Sequence, residues 1–243
     1  MERSNGLASQ PTQVEIVIPC YNEADILPAL IEKCLQIQES SSVKFIIVEN
    51  GSTDNSRSLL EKLATSNLTV YYIPKNKGYG YGVHQGLLAT HAPFVGWAHG
   101  DMQIDFSLLP SLVTAYAHGE NVFIKGLREG RGLKARIFTL FMSTYMSLIF
   151  RKKLVDINGQ PTVFSRSLLN QVQNPPTDFS FDLYMYALAS LCGYAVRRFQ
   201  VHLVERSRGK SSWNTGNMAI VRLSWQMMKS GHQIKKNLVV SAK

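Results

Sequence analysis

Phe94-Val95-Gly96-Trp97-Ala98-His99-Gly100-Asp101-Met102-Gln103-Ile104-Asp105 is the stretch on which the reading of this chain turns. A short apolar run, the pattern of a buried strand, stops in electron-pair donors: His99, then Asp101, Gln103 and Asp105 at alternate positions. Carboxylates at a strand's end suit a hard divalent cation. Mg²⁺ in phosphate-handling sites takes one or two protein carboxylates and completes its shell with substrate oxygens. Asp101 and Gln103 have that chemistry, but a strand running into an ordinary polar turn uses the same letters. The neighbouring segments must decide.

Upstream, Val14-Glu15-Ile16-Val17-Ile18-Pro19 is a β-branched run stopped by proline. Cys20-Tyr21-Asn22-Glu23 and a helical pattern over residues 24–38 follow, with Leu27, Leu30, Ile31, Cys34 and Leu35 on one face. The unit repeats: a strand over 44–49, a turn at Asn50-Gly51-Ser52-Thr53-Asp54, and a helix over 55–64 with Leu59, Leu60 and Leu63 inward. A third strand spans 69–73. Strands alternating with helices predict a parallel sheet. Ligands of such sheets lie beyond the carboxyl ends of the strands, where Tyr21 to Glu23, Glu49 to Gly51 and His99 to Asp105 would project. Lys75-Asn76-Lys77-Gly78-Tyr79-Gly80-Tyr81-Gly82 reads as a loop before a helix through Leu87 and Leu88. Its alternate glycines would let backbone approach a ligand near a helix N-terminus. The spacing is neither a Walker loop nor a dinucleotide fingerprint.

A chain of 243 residues suits one α/β domain, and 45% hydrophobic against 18% charged residues excludes general disorder. Residues 1–13 are polar, lack the apolar core of a secretion signal, and are expected to form a disordered tail. Cys20, Cys34 and Cys192 have no metal-ligand spacing and read as reduced cytosolic thiols. The net charge of +9 is uneven: residues 1–100 carry 7 Lys and Arg against 9 Asp and Glu, whereas residues 101–243 carry 19 against 8. The second half therefore meets something anionic. No helix-turn-helix, zinc finger or RNA-stacking aromatic pair is present, so nucleic acid is not the expected partner.

That basic half contains a helical pattern over 108–117 and a strand over 122–126. Arg128, Arg131, Lys134 and Arg136 follow, then an uncharged run over 137–150, then Arg151-Lys152-Lys153. Fourteen residues are short of the roughly 20 needed to cross a membrane, so no transmembrane helix is expected. Thr139, Ser143 and Ser147 continue a polar stripe from Arg136 to Arg151, while Ile137, Phe138, Phe141, Tyr145, Leu148 and Ile149 form a wide apolar face. Such a helix can lie in an anionic bilayer interface or be buried against the sheet. Asp178 and Asp182 stand at the start of a helix running to Cys192, where acids favour the positive dipole end. A last strand over 194–204 leads into Glu205-Arg206-Ser207-Arg208-Gly209-Lys210-Ser211-Ser212, and a final helix spans 217–230.

Four segments in order, Val17 to Glu23, Val48 to Asp54, Asn76 to Gly80 and Gly100 to Gln103, resemble the signature of the family 2 glycosyltransferases. Within that family the chain looks most like the dolichyl-phosphate mannose synthase and polyprenyl-phosphate glycosyltransferase branch. The resemblance implies a GT-A type, Rossmann-like α/β fold: a mostly parallel sheet flanked by helices, with a basic amphipathic helix on the acceptor side. It implies a glycosyltransferase domain over residues 14–212, with a nucleotide half at 14–105 and an acceptor half at 106–212, followed by a C-terminal helix and basic tail at 213–243.

The implied activity is metal-dependent, inverting transfer of a hexose from a GDP- or UDP-linked sugar to a polyprenyl phosphate, by a peripheral protein on the cytoplasmic face of a membrane. Pro19, Tyr21, Glu23, Glu49, Asn50, Lys75 and Gly78 would border the nucleotide. Asp101, Gln103 and His99 would hold Mg²⁺ or Mn²⁺, and Arg128, Arg136, Lys210 and Ser211 would hold the acceptor phosphate. The catalytic set would be Asp101, Arg128, Arg136, Arg206 and Asp182. Asp156-Ile157-Asn158-Gly159-Gln160-Pro161 resembles a variant of a family turn lining the sugar and acceptor. Two departures stand out: the family usually has aspartate at Asn50, and the mannose synthases usually have it at His99. Asn50 can still pair with a base edge, and a neutral imidazole binds Mn²⁺ more readily than Mg²⁺. Two other readings stay open: a soluble family 2 enzyme glycosylating a glycan hydroxyl with Asp182 as base, and a weakly active nucleotide-sugar-binding protein.

Overall fold

A computed structural model describes residues 13–116, 121–130, 132–202 and 217–241. Strand β1 (Val14–Cys20) is buried on both faces, as its near-continuous β-branched run requires of a central parallel strand. It pairs in parallel with β2 (Val43–Asn50) on one side and β4 (Phe94–Trp97) on the other, and β3 (Thr69–Ile73) adds beyond β2. Beyond β4 the sheet continues with β6 (Thr162–Ser165), then β5 (Val122–Glu129), then β7 (Ala195–His202), giving the order β3-β2-β1-β4-β6-β5-β7. Of these strands β6 alone runs backwards, antiparallel to both β4 and β5. Its first residue, Thr162, therefore lies beside Trp97, the last residue of β4, and beside Lys125 of β5.

Alternating residues of β1 feed two cores. Val14, Ile16 and Ile18 pack with α1 (Leu27–Ser40), Leu60 of α2 (Ser56–Leu63), and Phe106 and Leu109 at the start of α4 (Leu109–Tyr116). Val17 faces the opposite layer: α3 (Tyr79–Leu88), α5 (Leu133–Phe150), α6 (Phe181–Leu191) and α7 (Asn217–Ser241). In α1, Ile37 is buried where Leu35 was expected, and Leu35 is only half-buried. Helix α6 is buried along most of its length, which places it at the centre of its layer.

Four expectations need correction. The glycine-rich loop ends sooner than expected: Lys75 to Gly78 precede the helix, but α3 begins at Tyr79, and Gly80 and Gly82 are helical. What these glycines admit is the chain itself. A Cβ at Gly80 would lie 2.5 Å from the Pro176 carbonyl oxygen, and one at Gly82 would lie 2.8 Å from the Asn50 side chain. Strand β5 runs three residues further than expected, so Arg128 is within it. Helix α5 starts four residues before the uncharged run and, with 18 residues and a mean hydropathy of 1.2, is long and apolar enough to cross a membrane on those criteria alone. Helix α7 continues well past residue 230. Residues 1–12 of the expected tail lie outside the described residues.

Gly86 is where α3 presses on the sheet, because a Cβ there would lie 2.5 Å from Val17 Cγ1 and 2.7 Å from Val48 Cγ2. Gly86→Ala is expected to cost about 1–3 kcal/mol through overpacking, read as a lower urea midpoint at unchanged m-value.

Candidate active site

The loops leaving β1 and β2 are laced together. The Asn22 N–H donates to Ser52 Oγ at 3.1 Å, Asn22 Oδ1 accepts from the Thr53 N–H at 2.8 Å, and the Glu23 N–H donates to Ser56 Oγ at 2.9 Å. Asn22 takes a left-handed φ of 55° to make this turn. Tyr21 is exposed above it and Pro19 lies within β1. Glu49 ends up fully buried, with Oε1 accepting from the Ser52 N–H at 2.6 Å. Asn50, 3% exposed, donates from Nδ2 to the Gly78 carbonyl at 3.2 Å, and its Oδ1 is buried without a hydrogen-bond donor among the described residues. Gly51 and Gly78 both need positive φ, 69° and 109°. A Cβ at Gly51 would meet the Asn76 backbone nitrogen at 2.2 Å, which holds the exposed Lys75 beside this corner. The carboxyl ends of β1, β2 and β3 thus bring Pro19, Tyr21, Glu23, Glu49, Asn50, Lys75 and Gly78 to one side of the sheet.

The polar turn after β4 has a defined shape. Met102 adopts φ 54° and Asp101 Oδ1 accepts from the Gln103 N–H at 3.2 Å. Asp105 caps the next turn, accepting from the Ser107 N–H at 3.0 Å and from Ser107 Oγ, and Lys33 lies 3.7 Å away. Those Ser107 hydrogen bonds hold its carboxyl below the ordinary range. His99 packs 5.5 Å from the Tyr79 ring, and burial keeps its pKa low against the pull of Asp182 and Asp101, leaving a neutral imidazole at neutral pH. Among the described residues no three His, Cys, Asp or Glu side chains converge as a metal site. One carboxylate, one amide oxygen and a neutral imidazole still fit a cation whose shell is filled mainly by diphosphate oxygens.

Behind this turn lies a charge cluster that the strand pattern hid. Lys125 is fully buried in β5, donates to Thr162 Oγ1 at 3.1 Å and lies 3.7 Å from Asp182 Oδ1, with the Trp97 and Tyr186 rings 6.0 and 5.8 Å from its ammonium. Burial outweighs the attraction of Asp182 and drives the Lys125 pKa down to about 8. Asp182, 2% exposed, also accepts from Gln160 Nε2 at 3.3 Å, and the same Nε2 donates to Tyr79 Oη at 2.7 Å. Asp178 accepts from the Ser180 N–H at 2.9 Å, the helix-start role expected of it.

At the carboxyl end of β5, Asp156 receives Nε, Nη2 and the backbone N–H of Arg128. Burial opposes the charge on Asp156, but the Arg128 contacts prevail and lower its pKa. The pair opens on a groove of about 620 Å³ between α5 and the following loop, walled by Arg136, Arg151, Lys152 and Lys153 and by Leu127, Leu140, Leu148 and Leu154. The predicted stripe of Thr139, Ser143 and Ser147 also lines it. Its inner members have structural duties, since Ser143 Oγ accepts from the Asp156 N–H at 3.0 Å and Ser147 Oγ from the Leu154 N–H at 2.9 Å. Arg206, Lys210 and Ser211 lie outside the described residues. Lys125, Tyr79 and Arg198 were not singled out as site residues from sequence, and Gln160 entered only as part of the turn from Asp156 to Pro161. A lone lysine inside the apolar run Val122-Phe123-Ile124-Lys125 was the signal available for the first.

Removing one member of the buried pair should be worse than removing both. Lys125→Met leaves Asp182 buried and unpaired and is expected to cost about 3–5 kcal/mol in chemical unfolding, most of it recovered in Lys125→Met/Asp182→Asn.

A family model described as glycosyl transferase family 2 matches residues 15–172. An uncharacterized glycosyltransferase of Mycobacterium tuberculosis is 28% identical over 203 residues, 82% of this chain and 88% of that relative. The undecaprenyl-phosphate 4-deoxy-4-formamido-L-arabinose transferase of Pseudomonas fluorescens is 33% identical over 226 residues, 88% of this chain but 63% of the relative. Among solved structures, glucosyl-3-phosphoglycerate synthase from Mycobacterium tuberculosis, in complex with Mn²⁺, UDP-glucose and phosphoglyceric acid, superposes with a TM-score of 0.68 at 16% identity, covering 91% of this chain and 80% of that one. The same enzyme with Mg²⁺ and UDP gives 0.67 at 17% identity, over the same shares of the two chains. The superpositions match the α/β architecture of GT-A enzymes, the family model spans more than half of the 243 residues, and the chain belongs to glycosyl transferase family 2.

Proposed function

We propose that the protein transfers a sugar from a nucleotide diphosphate sugar to a polyprenyl phosphate at a membrane surface, by a single displacement that inverts the anomeric centre. One observation carries this reading. The groove beside α5 combines Arg128, Arg136, Arg151, Lys152 and Lys153 with a largely hydrocarbon wall and a single acid, Asp156, already matched by Arg128. That is the chemistry of an anionic head on an apolar tail. The undecaprenyl-phosphate transferase relatives support the same acceptor.

The outer face of α5 supports a membrane location. Leu133, Ile137, Leu140, Phe141 and Leu148 are all more than half exposed, and Leu148 reaches 74%. An apolar face of this kind between Lys134 and Arg136 at one end and Arg151 to Lys153 at the other suits an anionic bilayer interface, where each cation contributes about 1 kcal/mol. Met142, Met146 and Phe150 on the inner side anchor the helix to the core.

The chemistry asks little of a general base. A phosphate monoester is ionised at neutral pH, so its oxygen attacks without losing a proton to the protein, and Arg128 and Arg136 align it. Asp101 and Gln103, with His99 beside them, would hold a divalent cation that offsets the charge of the leaving diphosphate. The nucleotide would lie over Tyr21, Glu23, Glu49, Asn50 and Gly78. Asp182 is buried and engaged by Lys125 and Gln160, which supports a structural duty over that of a base for a hydroxyl acceptor.

The test is transfer of radiolabel from a panel of UDP- and GDP-sugars, with Mn²⁺ or Mg²⁺, into organic-extractable undecaprenyl phosphate. Label is expected in the lipid, reduced about 100-fold or more in Asp101→Ala and in Arg128→Ala. Release of nucleotide diphosphate onto an added glycan, with no lipid label from any donor, would replace this reading with a hydroxyl acceptor.

A further inference from the structure

Arg128 cannot grip a phosphate fully while its fork is spent on Asp156. It gives Asp156 Nε, Nη2 and its own backbone N–H, while its side chain stays 20% exposed towards the groove. To turn that fork onto an incoming anion, Arg128 must loosen from Asp156. A carboxylate 3% exposed that loses its cation is strongly disfavoured. Another cation has to be at hand.

Arg198 of β7 is in that place. It lies in register with Lys125 of the neighbouring parallel strand, so both side chains leave the same face of the sheet. Its guanidinium covers the Tyr186 ring at 5.8 Å, and the Tyr186 hydroxyl accepts from the N–H of Val155, the residue before Asp156, at 3.3 Å. Nε, Nη1 and Nη2 of Arg198 are all buried, and none makes a hydrogen bond among the described residues. Asp156 and Arg198 are close enough that each favours the charged form of the other. A buried guanidinium without a well-formed hydrogen bond costs free energy, and the groups that offset it are the Tyr186 hydroxyl first and then the Asp156 carboxylate, both within electrostatic reach.

We propose that Arg198 is a positioning residue: it takes over Asp156 when Arg128 turns onto the acceptor phosphate, so that Arg128 changes partners without stripping a buried carboxylate of its cation. The identity of the incoming anion rests on the function proposed above. The sharing of Asp156 between two guanidinium groups does not.

The ligand-free test is a double-mutant cycle in thermal unfolding. Arg128→Met and Arg198→Met each leave Asp156 one guanidinium, while the double variant leaves none. The double variant is expected to lose at least ~2 °C more than the two single losses combined, with Asp156→Asn in the same background abolishing the excess. Additive losses would overturn the proposal. The kinetic arm uses geranylgeranyl phosphate as acceptor with the donor found above. Arg198→Met is expected to raise the acceptor KM about tenfold at unchanged donor KM, and Arg198→Lys to restore most of it. A fall in kcat with both KM values unmoved would also overturn it. No wild-type transfer to undecaprenyl phosphate from any donor, together with a non-additive cycle, would sink the lipid acceptor and leave the sharing of Asp156 standing.

Discussion

The ion pair between Lys125 and Asp182 is the constraint around which the second half of the molecule is arranged. An ammonium taken fully out of water is strongly disfavoured unless opposite charge and hydrogen-bond acceptors come with it. Here they come from two other elements: Thr162 at the start of β6 and Asp182 in the first turn of α6. That lysine is therefore tolerated only when β5, β6 and α6 are mutually in place. Its pKa, lowered to about 8, shows which effect wins, since desolvation exceeds what the carboxylate returns. The pair contributes specificity of arrangement more than net stability. Through Gln160 it reaches the Tyr79 hydroxyl, and the Tyr79 ring packs against His99, so the pair is tied to the turn after β4.

The two halves solve different electrostatic problems. Around the carboxyl ends of β1 and β2, backbone N–H groups and short side chains stitch the loops together: the Ser52 N–H donates to the buried Glu49 carboxylate, and the Asn50 side chain donates to the Gly78 carbonyl. Around the groove beside α5, long cations gather around few acids. Most of the chain's excess of positive charge falls in residues 101–243, and five of those cations line one groove.

Much of the nucleotide half was legible in the sequence because its signals are local. The strands at 14–19, 44–49 and 69–73 are β-branched runs closed by proline, glycine or asparagine, and they appear within one or two residues of those bounds. The glycine-rich start of α3 misled because Gly80 and Gly82 lower helix propensity. Their reason for being glycine lies at the Pro176 carbonyl and the Asn50 side chain, far along the chain. Strand β6 is four residues long, and nothing in Thr162-Val163-Phe164-Ser165 records its direction. The resemblance implied an acceptor-phosphate role for Arg128 and Arg136; the structure places both on the groove, and the Arg128 pairing with Asp156 is a tertiary fact. Arg198 escaped because an arginine pair in a strand reads as an exposed edge, whereas its nitrogens are buried.

The reversed direction of β6 has an evolutionary consequence. A parallel strand presents to the ligand only the segment that leaves it. An antiparallel strand in the same sheet presents the segment that arrives, here residues 151–161, which supply Asp156 and Gln160 and one wall of the groove. That segment hangs between α5 and β6 and supplies none of the residues at the ends of β1, β2 and β3. Its length and composition can drift while the loops at the ends of β1, β2 and β3 stay under their own selection. A lineage can thus reshape the groove by editing one connection, without disturbing the loops at the ends of β1, β2 and β3.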